Sequence, residues 1–254
     1  MRWGDSAVTQ HVVEQAVWTE CVRTPLSFDE AARHLRNALL TEILDVSDEC
    51  LALALAKCAL ETGRFQAMYG YNYGNIRPTY AVPCQFQCLP ICNEIDHDDK
   101  LHWYTPEGEV VSRTNLTVIG KRWDIPPGHP ASRFQAYAGP TDGAYQYVDF
   151  MARGANGRFA PAFARLVHGD APGMVAAMKR ARYMTADEQA YARPVISLQR
   201  EYLGKLKNLP VEPYEPTDDE FERLMATIQG QRWHRIQDEL FTRDTEPPDT
   251  EPNA

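Results

Sequence analysis

Residues Leu51 to Arg77 read LALALAKCALETGRFQAMYGYNYGNIR, and their first half decides the fold. Leu51, Leu53, Leu55, Ala56, Cys58, Ala59 and Leu60 leave no polar face on a helix, and Lys57 is the one charge before Glu61. Such a segment is a helix buried on all sides in a core. Asp45, Ser47, Asp48 and Glu49 supply capping and first-turn acids at its start, and Gly63 stands where a C-terminal glycine stop belongs. Glu61 is thereby a carboxylate at the C-terminal end of a buried helix. Desolvation and the negative helix end should both raise its pKa, which suits a general acid. The bland alternative is an ordinary ion pair, for which Arg64 lies three residues on. The segment from Tyr69 to Arg77 is rich in Tyr, Asn and Gly, as ligand-contacting loops often are. Asn72, Tyr73 and Asn75 are its candidate substrate contacts.

ALETG at Ala59 to Gly63, followed about ten residues later by NYGNIR at Asn72 to Arg77, resembles the signature of the glucosaminidase family of peptidoglycan hydrolases. That family lies in the lysozyme-like superfamily and includes flagellar rod-associated hydrolases, autolysins and phage lysins. Its members carry an Ala-Leu-Glu-(Ser/Thr)-Gly helix end and then an Asn-(aromatic/Leu)-Gly-Ile-Lys-like loop. The stretch RFQAYAGPTDGAYQYVDFM, Arg133 to Met151, is similar to the family's Phe-Arg-x-Tyr segment and the helix after it, with Gln135 replacing the Arg. Tyr137, Tyr145, Tyr147 and Phe150 read as core before chemistry, with Tyr137 also kept as a candidate substrate contact. The segment RARYMTADEQAYA is similar to the family's Gly-Tyr-Ala-Thr-Asp-x-x-Tyr-Ala motif, with Arg182 replacing Gly and Met184 replacing Ala. Tyr183 there matches the site tyrosine that positions substrate or water near the catalytic Glu.

The resemblance covers roughly Leu51 to Tyr202, with its three motifs in order. It implies an α+β, mainly α, lysozyme-like helical domain with a small β lobe forming a cleft. The implied reaction is cleavage of a β-1,4 glycosidic bond in the peptidoglycan glycan strand, on the N-acetylglucosaminyl side. Glu61 would protonate the leaving oxygen, and a second acid would activate water or stabilise the oxocarbenium-like transition state. Glu94, in ICNEI, sits about where the family places that acid, with Asp96, Glu107, Glu109 and Asp124 as rivals and a solvated hairpin acid as the bland reading. Participation by the substrate's own N-acetyl group would make Glu94 dispensable. No metal or cofactor is required. Muramidase and lytic transglycosylase share the fold and stay open, as does a non-catalytic wall-binding or structural virion protein. A Glu61→Gln variant is expected to lose wall lysis with its fold intact.

The chain of 254 residues is 44% hydrophobic and 24% charged, ordinary for a globular protein with a real core. Its net charge of −9, part of it from Asp244, Glu246, Asp249 and Glu251, argues against nucleic acid as the main partner. No apolar run is long enough to span a membrane, and MRWGDSAVTQHVVEQ lacks the features of a secretory signal. Action on a wall would then need release by a virion, a holin or a secretion system, unless a signal was removed or lies on another chain. Cys84, Cys88 and Cys92 would share one strand face, with His97 or His102 as a fourth metal ligand, although Pro90 interrupts the run and buried thiols are the default.

Ser6 to Arg23 carries a loose helical pattern, and Ser27 with Glu30 makes a capping box for a second helix reaching Leu44. Residues 78–137 switch to short β-like runs, VPCQFQC, LHWYT, EVVSR and LTVIGKRW, forming the β lobe. Trp103, Tyr104 and Trp123 in it are candidate sugar-stacking faces, with Trp103 preferred. Helices are predicted over Phe159 to Val167 and Pro172 to Arg182, then another opened by a Thr185–Glu188 box and kinked at Pro194. The domain runs over 1–205, a proline-rich linker over 206–216, a last helix over 217–242 and a disordered acidic tail over 243–254. That last helix carries an apolar stripe suited to self-association or to a carrier particle.

Overall fold

A helix with no polar face is stable only inside other elements. The structure, a computed structural model, describes residues 16–77, 84–88, 92–95, 117–119, 122–125, 132–184 and 186–209 with Glu222 and Met225, the backbone alone at 16–17, 84, 88, 92–95, 117–119, 122–125 and 155. These residues form an α+β, mainly helical protein. Helices α1 (Phe28–Leu40) and α2 (Asp48–Glu61) come first, and α3 (Pro140–Ala152), the short α4 (Gly154–Gly157), α5 (Ala160–Val167), α6 (Ala171–Arg180) and α7 (Glu188–Leu206) follow the strands. Every residue of α2 from Cys50 to Ala59 is buried, and α1, α5 and α7 pack around it.

The local signals explain most helix starts. Ser47 caps α2 by accepting from the Cys50 N–H, and Ser27 and Glu30 form the reciprocal box on α1. Asp170 caps α6, with Pro172 in its first turn. Two boundaries differ from expectation. Helix α1 stops at Leu40, where Thr41 caps it, so Leu44 falls beyond the helix and is fully exposed. Helix α7 is capped by Asp187, which accepts from the Ala190 N–H, rather than by a Thr185–Glu188 box. Glu188 is the first helical residue, so it cannot serve in the third-residue role that such a box needs. Pro194 lies inside α7, which runs on to Leu206.

The helix predicted over Ser6 to Arg23 is replaced, in its described part, by extended chain. Strand β1 (Ala16–Trp18) pairs in parallel with β2 (Cys84–Cys88), Thr19 N–H continues to Phe86 O, and Arg23 bridges Tyr69. A valine-rich segment suits helix or strand locally, and pairing to the edge of β2 selects the strand. β2 also pairs antiparallel with β6 (Arg133–Ala136), giving a three-stranded sheet in the order β1-β2-β6. A second sheet, antiparallel and ordered β3-β5-β4, joins β3 (Cys92–Ile95), β4 (Thr117–Ile119) and β5 (Arg122–Ile125).

The three cysteines therefore do not share one strand. Cys84 and Cys88 lie at the two ends of β2, whereas Cys92 opens β3 opposite Ile125 in the other sheet. Pro90 lies between them and has no N–H to continue a ladder. Among the described residues no group of His, Cys, Asp and Glu is placed to hold a metal, and no helix is long and apolar enough to cross a membrane. His97, His102, LHWYT, EVVSR, the linker after 209 and the acidic tail lie outside the described residues, as does most of the last predicted helix. The chain divides into two compact units, Met1–Tyr214 and Glu215–Ala254.

Candidate functional site

The last turn of a helix leaves carbonyls without intrahelical donors. At the end of α2 the loop 62–77 supplies those donors. Thr62 gives both its N–H and its hydroxyl to Cys58 O, Arg64 N–H bonds to Ala59 O, and Asn75 Nδ2 reaches Glu61 O at 2.8 Å. To do so the loop turns left-handed at Gly63 (φ 55°) and also at Arg64, Phe65, Tyr71 and Asn75, where φ lies between 50° and 66°. Non-glycine residues held there store about 1–3 kcal/mol each, so the loop must be fastened elsewhere. Asn72 is the fastener: its Nδ2 donates to Ile76 O and Gln135 O, and its Oδ1 accepts from Ile76 N–H.

Two of the predicted substrate contacts are thereby corrected. Asn72 is buried with its amide committed to backbone groups, and Tyr73 has 0% of its surface exposed and lies edge-on to Phe65. Neither presents a group to a ligand; both hold the loop. Asn75 touches the site through the helix-end carbonyl of Glu61. Tyr137 donates through its hydroxyl to Gln135 Oε1 and through its N–H to Gly70 O. Gln135 thus makes a neutral contact with Tyr137. Glu94 sits in β3 with its backbone opposite Trp123, and its side chain, like Trp103 and Tyr104 altogether, lies outside the described residues.

Glu61 and Tyr183 come together through a residue the motifs did not single out. The Lys57 ammonium is fully buried, 2.9 Å from Glu61 Oε1 and 2.9 Å from Tyr183 Oη. It also lies 4.5 Å from the centre of the Tyr183 ring. Tyr183 donates its own hydroxyl to Gly74 O at 2.8 Å, which ties the segment before α7 to the loop after α2. Tyr191, one turn into α7, donates to Glu61 Oε1 at 2.5 Å. The Glu61 side chain keeps 20% of its surface exposed while Lys57 keeps none.

This arrangement reverses the expected protonation of Glu61. Burial does push the carboxyl up, but the Lys57 ammonium and the hydrogen bonds from Tyr191 and Lys57 outweigh it and hold the carboxyl below its ordinary range. For Lys57 burial opposes the charge, and the Glu61 carboxylate beside it holds the ammonium protonated, well above its ordinary range. Burial pushes the Tyr183 phenol up to about 12 and Tyr191 higher still, so both act as neutral donors. The sequence signal for Lys57 was its spacing of four from Glu61 on one helix. Arg64, the nearer candidate, is carried away by the left-handed turn and pairs with Glu201 of α7 through two bonds of 2.7 and 2.9 Å. Tyr191 was not singled out in the sequence.

Compared with known proteins, the chain matches no family, no curated protein and no solved structure.

Proposed function

We propose that this protein is a peptidoglycan hydrolase with a lysozyme-like helical domain, cleaving β-1,4 glycosidic bonds of the glycan strand as N-acetylglucosaminidases do. One observation supports the reading above others. Glu61 and Tyr183, named from separate motifs far apart in the chain, are joined through a single atom, Lys57 Nζ, near the C-terminal end of the buried helix. In this reading Glu61 protonates the leaving glycosidic oxygen, Tyr183 orders the loop beside it, and Glu94 serves as the second acid. Glu61 must therefore gain a proton before the bond breaks. A glycan strand covering the partly exposed carboxyl would remove its remaining water, and desolvation raises a carboxyl's pKa. At the same time the depressed starting value places the working range on the acid side of neutrality.

The ion pair also favours a second reading, in which Lys57 and Glu61 only stabilise a wall-binding protein without activity. Mass spectrometry of muropeptides released from purified walls across pH 4–8, with wild type and Glu61→Gln, separates the two. Products with reducing-end N-acetylglucosamine from the wild type alone are the expected result. Reducing or anhydro N-acetylmuramic acid ends would reassign the bond to a muramidase or transglycosylase, and no product at any pH would leave the binding reading.

A further inference from the structure

We infer that Lys57 and Tyr191 are positioning residues for Glu61, gripping Oε1 from the protein interior at 2.9 and 2.5 Å and so setting the state in which that carboxyl meets a ligand. The kinetic arm of this inference rests on the glycosidase reading; its spectroscopic arm does not. Both donors converge on one oxygen from different elements, Lys57 from α2 and Tyr191 from α7. Lys57 has no access to solvent, and its bonds run to Glu61 and Tyr183, so its charge is spent inside this group. A lysine placed for ordinary helix stability would lie on an exposed face with its ammonium in water.

The other groups packed there carry no competing charge. Tyr183, ahead of α7, is neutral, and so is the Cys58 thiol on α2, which burial pushes up to about 12. Tyr147 of α3 is pushed well above its ordinary range by burial, and Asn75 of the loop is uncharged. Lys57 is the cation of the set. Removing it leaves Glu61 with burial acting upward and only the neutral donors Tyr191 and Asn75 acting against it.

The test is a carboxyl-carbon NMR titration of Glu61 in the full chain, assigned with Glu61→Gln and repeated in Lys57→Met and Tyr191→Phe. In Lys57→Met the Glu61 proton affinity is expected to rise at least about tenfold, which is one pH unit. In Tyr191→Phe it should rise in the same direction by less. Muropeptide release should follow, its optimum moving to higher pH by the same interval. An unchanged Glu61 titration in Lys57→Met overturns the inference whatever the activity. If Lys57→Met does not fold, an unchanged titration in Tyr191→Phe overturns it instead. Shifted titrations with no product from any variant, wild type included, would keep the positioning roles and reject the glycosidase.

Discussion

Glu61 is bound into a buried ion pair with Lys57, and this changes how its variants behave. Taking away one partner of such a pair strands the other charge, at about 3–5 kcal/mol. Glu61→Gln should therefore unfold at lower denaturant than the wild type, because fully buried Lys57 loses its counter-charge. Loss of activity alone in that variant would then confuse chemistry with stability. The double variant Lys57→Met/Glu61→Gln should recover most of the loss, and urea unfolding of the three proteins checks it. The pair also sets a pH dependence. Glu61 has a depressed pKa in the fold, so its contribution is present above the unfolded carboxyl value and is lost as pH falls through the folded one. Lys57 has a raised pKa, so its contribution is complete below the unfolded ammonium value and is lost as pH rises through the folded one. The stability gap between wild type and double variant should accordingly be flat near neutrality and drift in favour of the double variant in acid. A gap independent of pH down to acid unfolding would contradict the assigned charges.

Among elements, the join between α3 and the loop after α2 decides whether the site assembles. Gly143 lies in the first turns of α3, where an added Cβ would fall 2.0 Å from Tyr71 O, a backbone atom. Alanine ordinarily favours a helix over glycine by about 1 kcal/mol. Here the sign should reverse, because the helix must move off the loop to admit one methyl. Gly143→Ala is expected to lower stability by about 1–3 kcal/mol in chemical unfolding. It should also perturb Tyr183, since Tyr71 lies just before Gly74, whose carbonyl takes the Tyr183 hydroxyl. A stabilised Gly143→Ala would show that this contact is slack. The helices themselves were legible because capping and apolar patterning are local: Ser47, Ser27 and Asp170 act within their own first turns. The strand at Ala16–Trp18 was not legible, since what makes it a strand is β2, far along the chain.

On the scale of the whole molecule, Lys57, Glu61, Tyr183 and Tyr191 all belong to the unit Met1–Tyr214. A chain ending at Tyr214 should therefore fold with the same melting behaviour in its main transition, and under the proposed hydrolase reading it should release the same products as the full chain. Loss of that transition on truncation would mean that Glu215–Ala254 is needed for the fold. The sequence by itself determined the buried helix, its caps and the stop at Gly63, because each depends on residues within a few positions of one another. It also marked Glu61 and Tyr183 as residues to examine. Only the tertiary structure decided that Tyr73 and Asn72 are internal braces, since burial depends on what packs from outside the segment. The charge on Glu61 was decided there too. A helix-end carboxylate read alone rises in pKa, but Lys57 turns inward because every face of α2 is covered, and Tyr191 arrives from 130 residues away.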